Sequence, residues 1–446
     1  MKFRLATSAA TRAVRELSLG KGTPLSSTYF DTRDRLLSGG RAALRLRRAG
    51  RIWLQAFKCE QGPATRGEWE LPAPRDRLEV RRFPLGEIRE ASGIDLSALR
   101  LHPLFETRFT RQAASVHIDG AIIEIALDRG HVLAGRRRER IHELEIELKS
   151  GSLQSMLRHA ESLVEPLRLQ LAFDSKAARG YRLARGEKAA PPRKWQRPNV
   201  AGRTPAEAFA QLAGAAIEQA GANAAGVLAS NDPEYLHQLR VGFRRLRALL
   251  VAFRALGPRT ESLKRRLRAF SRVLGDARDW DVVAPASPQA AKARAAARAL
   301  VASPAFNAAL LRCLRWIEEA PWHTHGQPLA PFAGAALERL QGKALKAAKH
   351  IDWLDAGERH ALRIRVKRLR YACDAFADCF PAEAVRPYLG ALEALQDHLG
   401  ALNDIAVARR LMPELKSSAR ERRLIPRVQR DWKAFERRRP FWRAGK

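Results

Sequence analysis

The chain has 446 residues, with 81 Lys and Arg against 47 Asp and Glu, for a formal net charge of +34. That length leaves room for roughly two to three domains, and 46% hydrophobic content with long periodic segments excludes whole-chain disorder. The charge implies anionic partners: nucleic acid, acidic membrane or phosphate chains.

Residues 28–149 carry short runs of period two, punctuated by Gly, Pro and Asp. Ala43-Leu44-Arg45-Leu46-Arg47, Ile52 to Lys58, Gly67-Glu68-Trp69-Glu70-Leu71 and Glu143-Leu144-Glu145-Ile146-Glu147-Leu148 all alternate, which predicts antiparallel strands. Alternation sets Arg45 and Arg47 on one face, opposite Leu44 and Leu46. It likewise groups Glu143 with Glu145 and Glu147, Glu124 with Asp128, and Glu68 with Glu70. Such faces are ordinarily the wet side of a sheet. If the sheet closes with them inward, bases would hold phosphate oxygens and carboxylates a hard divalent cation.

A stretch rich in Pro and basic residues, 186–203, reads as a linker. Thr204-Pro205-Ala206-Glu207 then opens a helix, with a capping hydroxyl, Pro in the first turn and Glu reaching back. From there the pattern is helical almost throughout. Asp232-Pro233-Glu234 starts a helix on which His237, Arg240, Arg244 and Arg247 form one stripe and Leu239, Phe243, Leu246 and Leu250 another. The stripe recurs as His360, Arg363, Lys367 and Arg370, 123 residues later. Leu274-Gly275 with Asp279 and Val282 recurs as Leu399-Gly400 with Asp404 and Val407, 125 residues later. Two matched elements at nearly one offset predict a duplicated helical bundle whose basic helices face one another. Like charges three and four residues apart repel by a few tenths of a kcal/mol. A bound polyanion would relieve that repulsion, and arginine forks suit phosphate oxygens. Asp279 and Asp404 read as partners that orient neighbouring arginines.

Residues 204–438 resemble the conserved histidine α-helical domain family, CHAD, through the two HxxR helices and the repeated LGxxxD elements. The resemblance implies a helical domain that binds inorganic polyphosphate through His237, Arg240, Arg244, Arg247, His360, Arg363, Lys367 and Arg370. Arg245, Arg368 and Tyr371 are peripheral candidates. Residues 1–185 resemble the CYTH family of triphosphate tunnel enzymes. The matching stretches are Tyr29-Phe30-Asp31-Thr32, Leu44-Arg45-Leu46-Arg47, Lys58, Glu68-Trp69-Glu70, Arg108 with Arg111, Glu124 through Gly130, Glu145-Ile146-Glu147 and Ser175-Lys176-Ala177-Ala178-Arg179-Gly180-Tyr181. This implies an eight-stranded antiparallel tunnel in which Arg45, Arg47, Lys58, Arg108 and Lys176 clamp tripolyphosphate. Glu124, Glu145 and Glu147 would hold Mg²⁺ or Mn²⁺, which activates water for hydrolysis. The family's opening strand carries an ExExK signature, whereas here Lys2 aligns with its last Lys and only Met1 precedes it. The expectation is therefore either a start further upstream or a tunnel with weakened metal chemistry.

The fold class expected is an α+β two-domain chain, a β tunnel followed by an all-α duplicated bundle, with 439–446 as a tail. Cys59, Cys313, Cys373 and Cys379 show no metal-type spacing and suit a reducing compartment. Charges interrupt every apolar stretch short of the roughly 18 residues that a membrane span needs. A cytoplasmic protein with no membrane partner is expected, with association to polyphosphate granules a further option. Oligomeric state is left open by the sequence. His323 and His325 read as surface residues, and Trp432, Phe435 and Trp442 as the buried side of a terminal helix. The chain shows no established nucleic-acid motif, P-loop or GxSxG elbow. The rival readings are a non-catalytic polyphosphate-binding protein and, behind it, a nucleic-acid-binding protein.

Overall fold

The computed structural model describes residues 1–60, 66–256, 261–319, 328–353, 355–414 and 419–443. The strands are β1 (Lys2–Arg4), β2 (Thr23–Asp31), β3 (Ala42–Ala49), β4 (Ile52–Glu60), β5 (Arg66–Pro72), β6 (His102–Ile118), β7 (Ala121–Ala134), β8 (Arg137–Ser150) and β9 (Gln170–Leu171). They form one antiparallel sheet in the order β5-β4-β3-β2-β6-β7-β8-β1-β9, one short strand more than the eight expected. Between the strands lie α1 (Thr7–Glu16), α2 (Leu36–Gly39), α3 (Leu85–Ser92) and α4 (Leu153–Leu167), and α5 (Lys176–Arg185) follows β9.

Period two sorts the sheet as the sequence predicts. Leu44, Phe57 and Cys59 point outward into a core with Leu37, Phe83 and Ile88, while Leu144 and Ile146 pack outward against Met156, Ala160 and Val164 of α4. Arg45, Arg47, Glu145 and Glu147 are left facing inward. Asp31 is almost fully buried and does a structural job, its carboxylate accepting from the amides of Thr32, Leu37 and Ser38. Helix α5 is capped by Ser175, whose Oγ accepts from Ala178 N at 3.0 Å. Gly180 lets α5 press onto β6, because a Cβ there would lie 1.9 Å from the Phe105 ring.

The remaining helices are α6 (Pro205–Ala229), α7 (Pro233–Ala252), α8 (Glu261–Val283), α9 (Pro288–Ala302), α10 (Pro304–Glu319), α11 (Leu329–Ala347), α12 (Ala356–Ala375), α13 (Ala382–Leu411) and α14 (Ala419–Glu436). The chain divides into two compact units that do not follow the expected boundary at 203/204. The first comprises Met1–Arg193, Gly221–Tyr235 and Val301–Glu318, and the second the rest. In the first, Ala308 and Leu311 of α10 join the α4 core, and Asn307 Oδ1 accepts from Leu171 N at 2.9 Å. The segment 186–203 is not a free spacer. The Arg193 backbone exchanges two hydrogen bonds with the Asn223 side-chain amide, the Tyr235 hydroxyl donates to Ala190 O, and Val200 is fully buried. In the second unit, Phe253 contacts Phe209, Phe332 and Phe376, with ring centroids 5.0–5.3 Å apart. Trp432 and Phe435 are buried, as expected, and the Trp442 indole donates to Glu338 at 2.9 Å. His323 and His325 lie outside the described residues. The four cysteines are free thiols. No helix among the described residues is long and apolar enough to cross a membrane.

Candidate functional site

The inward face of the sheet, with α5, encloses a cavity of about 800 Å³ walled by nine Lys and Arg side chains against five Glu. Arg45 donates to Glu70 at 3.0 Å, and Lys58 pairs with Glu68 at 2.5 Å. Arg47, beside Arg45, has only the Ser27 hydroxyl at 3.4 Å and no carboxylate partner among the described residues. Burial and then the Arg45 charge push its guanidinium below its ordinary value. It is the cation in this wall most in need of an anion.

Lys176 has the opposite status. Its ammonium lies 2.7 Å from Asp128, 3.0 Å from Glu143 and 2.9 Å from Glu145. Burial opposes its charge, but these carboxylates together hold its pKa above the ordinary lysine range. Its charge is already balanced, so it positions the wall rather than offering a free clamp. Arg108, expected in the clamp, is 65% exposed, pairs with Glu106 at 2.6 Å and does not line the cavity. Along β6 the inward residues are Thr107, Phe109 and Arg111, so period two places Arg108 on the other face. Arg111 takes the inward place. It grips Asp128 with two hydrogen bonds of 2.7 Å and Glu145 with one of 2.5 Å.

The three expected metal ligands do not converge. Glu124 and Glu147 sit directly opposite in the β7–β8 ladder, where like charges repel. Lys149 bridges the pair and offsets half of its charge, with its ammonium 3.6 Å from Glu124 and 3.1 Å from Glu147. Glu145 is held by Lys176, Lys2 and Arg111 at 2.9, 3.6 and 2.5 Å. Burial would raise its pKa, but those cations keep it well below the usual carboxylate range. Among the described residues no three His, Cys, Asp or Glu side chains form a group able to hold a metal ion. The residues present do not fit a metal centre, because lysine and arginine already occupy the carboxylates.

The second constellation lies in the helical unit. Arg240 and Arg244 of α7 and Arg363 and Lys367 of α12 act on one another electrostatically, so the two basic helices do face each other. Arg240 donates to Gly275 O at 3.2 Å and lies 3.9 Å from Asp279, which Arg410 holds at 3.0 Å. Asp404 favours the charged forms of Arg363 and Lys367 electrostatically. Asp279 thus meets two arginines directly, while Asp404 acts on its neighbours through its charge. They do not balance the charge. The Nε atoms of Arg244 and Arg363 are buried without an acceptor. Burial, then Arg363 and Arg244, push Lys367 down to about 6, and burial with Arg244 pushes Arg240 down to about 10.

Around this centre Tyr371 is hydrogen-bonded to Arg244, its phenol lowered by Arg244, Arg245 and Arg370 against the effect of burial. Arg245 is clamped between the Trp195 and Tyr371 rings, 4.4 and 4.9 Å away, and paired with Asp374 at 2.5 Å. His360 meets Asn403 at 2.7 Å, and Arg370 is held by Gln396 and Glu393 at 2.8 and 2.9 Å. His237 is part-buried on the same α7 stripe. Arg247 stands apart, next to Arg368 and Arg268. Sequence reasoning missed Arg410 and Trp195, which no spacing rule connects to the stripes.

Comparison with known proteins finds two domain families along the chain. The CYTH domain model matches residues 1–181 and the CHAD domain model residues 210–413. An inorganic triphosphatase from Haemophilus influenzae is 30% identical over 164 residues, which are 36% of this chain and 46% of that protein. The chain thus spans about half the length of that relative. The crystal structure of the CHAD domain from the plant Ricinus communis covers 57% of this chain and 95% of its own, at 30% identity and a TM-score of 0.46. A Hippeastrum protein described as having a dominant triphosphatase activity covers 43% of this chain and 96% of its own, at 16% identity and a TM-score of 0.30. With the two family models in order and without overlap, the chain belongs to the proteins in which a CYTH domain is followed by a CHAD domain.

Proposed function

We propose that the sheet cavity binds inorganic triphosphate and hydrolyses it to diphosphate and phosphate, while the cleft between α7 and α12 binds inorganic polyphosphate. The surplus of cations over carboxylates around Arg47 carries the reading for the cavity. A short phosphate chain would supply the anion that Arg47 lacks, flanked by Arg45 and Lys58. Guanidinium forks aimed at the terminal and bridging oxygens would stabilise charge that develops on the departing diphosphate as water attacks the terminal phosphorus. The cleft reading rests on buried, unpartnered arginine Nε atoms and a crowd of like charges, which a chain of phosphates would satisfy at regular intervals.

The test is phosphate release from tripolyphosphate by the full chain, measured with Mg²⁺, with Mn²⁺ and with a chelator. Release that falls when Arg47 is replaced by Ala supports hydrolysis in the cavity, and release that survives the substitution overturns it. One observation favours a second reading: Glu145 is bound by three cations and the carboxylates form no metal centre. A cavity that binds triphosphate without turning it over would show affinity but no release in any of the three buffers.

A further inference from the structure

The duplication is broken on one helix face. On α7, that face carries Gln238, Val241, Gly242 and Arg245, and it is sealed. Gln238 accepts from Gln219 of α6 at 2.8 Å, and a Cβ on Gly242 would lie 2.8 Å from Ala216 O and Ala220 N. Arg245 is consumed by Asp374 and the two aromatic rings. The residues 123 positions later on α12 are Ala361, Ile364, Arg365 and Arg368, and all four line an open cavity of about 680 Å³. The glycine that permits closure in the first repeat is an arginine in the second.

The opposite walls come from α11, with Leu340, Lys343 and Lys346, and from Val251 of α7. No carboxylate among the described residues pairs with Lys343, Lys346, Arg365 or Arg368. Burial and the neighbouring charges of Arg254, Arg339, Arg368 and Arg365 hold Lys343 below its ordinary value. The volume is that of a small-molecule site, typically ~300–1,000 Å³. Its chemistry differs from that of the polyphosphate cleft: Val251, Leu340 and Ile364 give it an aliphatic lining beside four unpaired cations. A bare phosphate chain would leave that lining wet, a neutral lipid would leave the cations unpaired, and among the described residues no aromatic ring lines the cavity to stack a nucleobase.

We infer that the cavity between α7, α11 and α12 binds a soluble organic phosphate with an aliphatic body, its head group held by Arg365, Arg368, Lys343 and Lys346 and its chain against Val251, Leu340 and Ile364. Arg368, a peripheral polyphosphate candidate by resemblance and a neighbour of Arg247, is assigned here to this cavity, which takes none of Arg240, Arg244, Arg363 and Lys367 and does not depend on them.

The experiment titrates octyl phosphate, below its micelle concentration, into the full chain already saturated with long-chain polyphosphate. One molecule should bind per chain, and the R365A/R368A variant should weaken it by about tenfold or more, since two charge-assisted contacts are removed. The variant removes like charges, so its folding is secure, and thermal melting verifies it. L340W, which fills the cavity without touching a charge, should weaken binding as well. Displacement of octyl phosphate by polyphosphate, equal binding of inorganic phosphate or octyl glucoside, or unchanged affinity in both variants would overturn the inference. Capture of the chain by phosphatidic acid vesicles that depends on Arg365 and Arg368, without binding of free octyl phosphate, would overturn the soluble ligand.

Discussion

The two charged constellations solve the same problem in opposite ways. In the sheet cavity nearly every cation has a carboxylate close by, so Lys176, Arg111 and Arg45 are fixed before any ligand arrives. In the helical cleft, Arg240, Arg244, Arg363 and Lys367 share two aspartates and repel one another. A rigid wall of mostly paired cations with a net positive surplus suits a ligand that must be held in one pose, as a hydrolysed triphosphate must. A crowded, unbalanced one suits a polymer that is gripped along its length and read at no particular residue. Net charge alone conceals this difference, which lies in pairing.

The contrast can be broken at four places, from the largest expected effect to the smallest. Reversing the cleft with R240E/R244E/R363E/K367E should lower affinity for long-chain polyphosphate by on the order of a thousandfold or more, because each lost charge-assisted contact contributes ~1.5–3 kcal/mol; calorimetric titration measures it. Lys176→Met should destabilise the first unit by about 3–5 kcal/mol, since the buried carboxylates of Asp128 and Glu143 lose their common cation. Denaturant unfolding reads that loss, and a change under about 1 kcal/mol would show that the network is dispensable. Arg47→Ala should weaken tripolyphosphate binding roughly tenfold to a hundredfold with little change in unfolding free energy, because among the described residues no carboxylate forms an ion pair with it.

The smallest effect is a pH dependence. Lys367 is mostly neutral above pH 6 in the free cleft, and a bound polyanion favours its charged form. Binding therefore takes up a proton between pH 6 and the higher pKa of the complex. Affinity should fall as pH rises through that window, by up to tenfold per unit, and level off below pH 6. Lys367→Arg should remove that share of the slope, since the guanidinium stays charged throughout. For the unliganded fold the sign is opposite: the unfolded chain binds this proton up to a higher pH, so the Lys367 contribution to stability grows as pH rises from 6.

Much of this was legible in the sequence. Period two separated Arg45 and Arg47 from Leu44 and Leu46, and an offset of 123–125 residues revealed the paired helices and their aspartates. The same period, run from Thr107 through Phe109, would have selected Arg111 over Arg108. Other features were not legible, for physical reasons. A carboxylate at a metal-like spacing has the same letter whether it is free or bound by a lysine, so the capture of Glu124, Glu145 and Glu147 by Lys149, Lys2, Lys176 and Arg111 appears only in three dimensions. The apolar stripe of α10 does not say which core it covers, and Ala308 and Leu311 join that of the sheet.

Two separate phosphate sites are tested most directly by a double titration of the full chain and its R240E/R244E/R363E/K367E variant, with tripolyphosphate and with long-chain polyphosphate. The variant is predicted to keep wild-type affinity for tripolyphosphate while losing the long chain. Parallel loss of both ligands, or retention of the long chain, would contradict two separate sites of different construction.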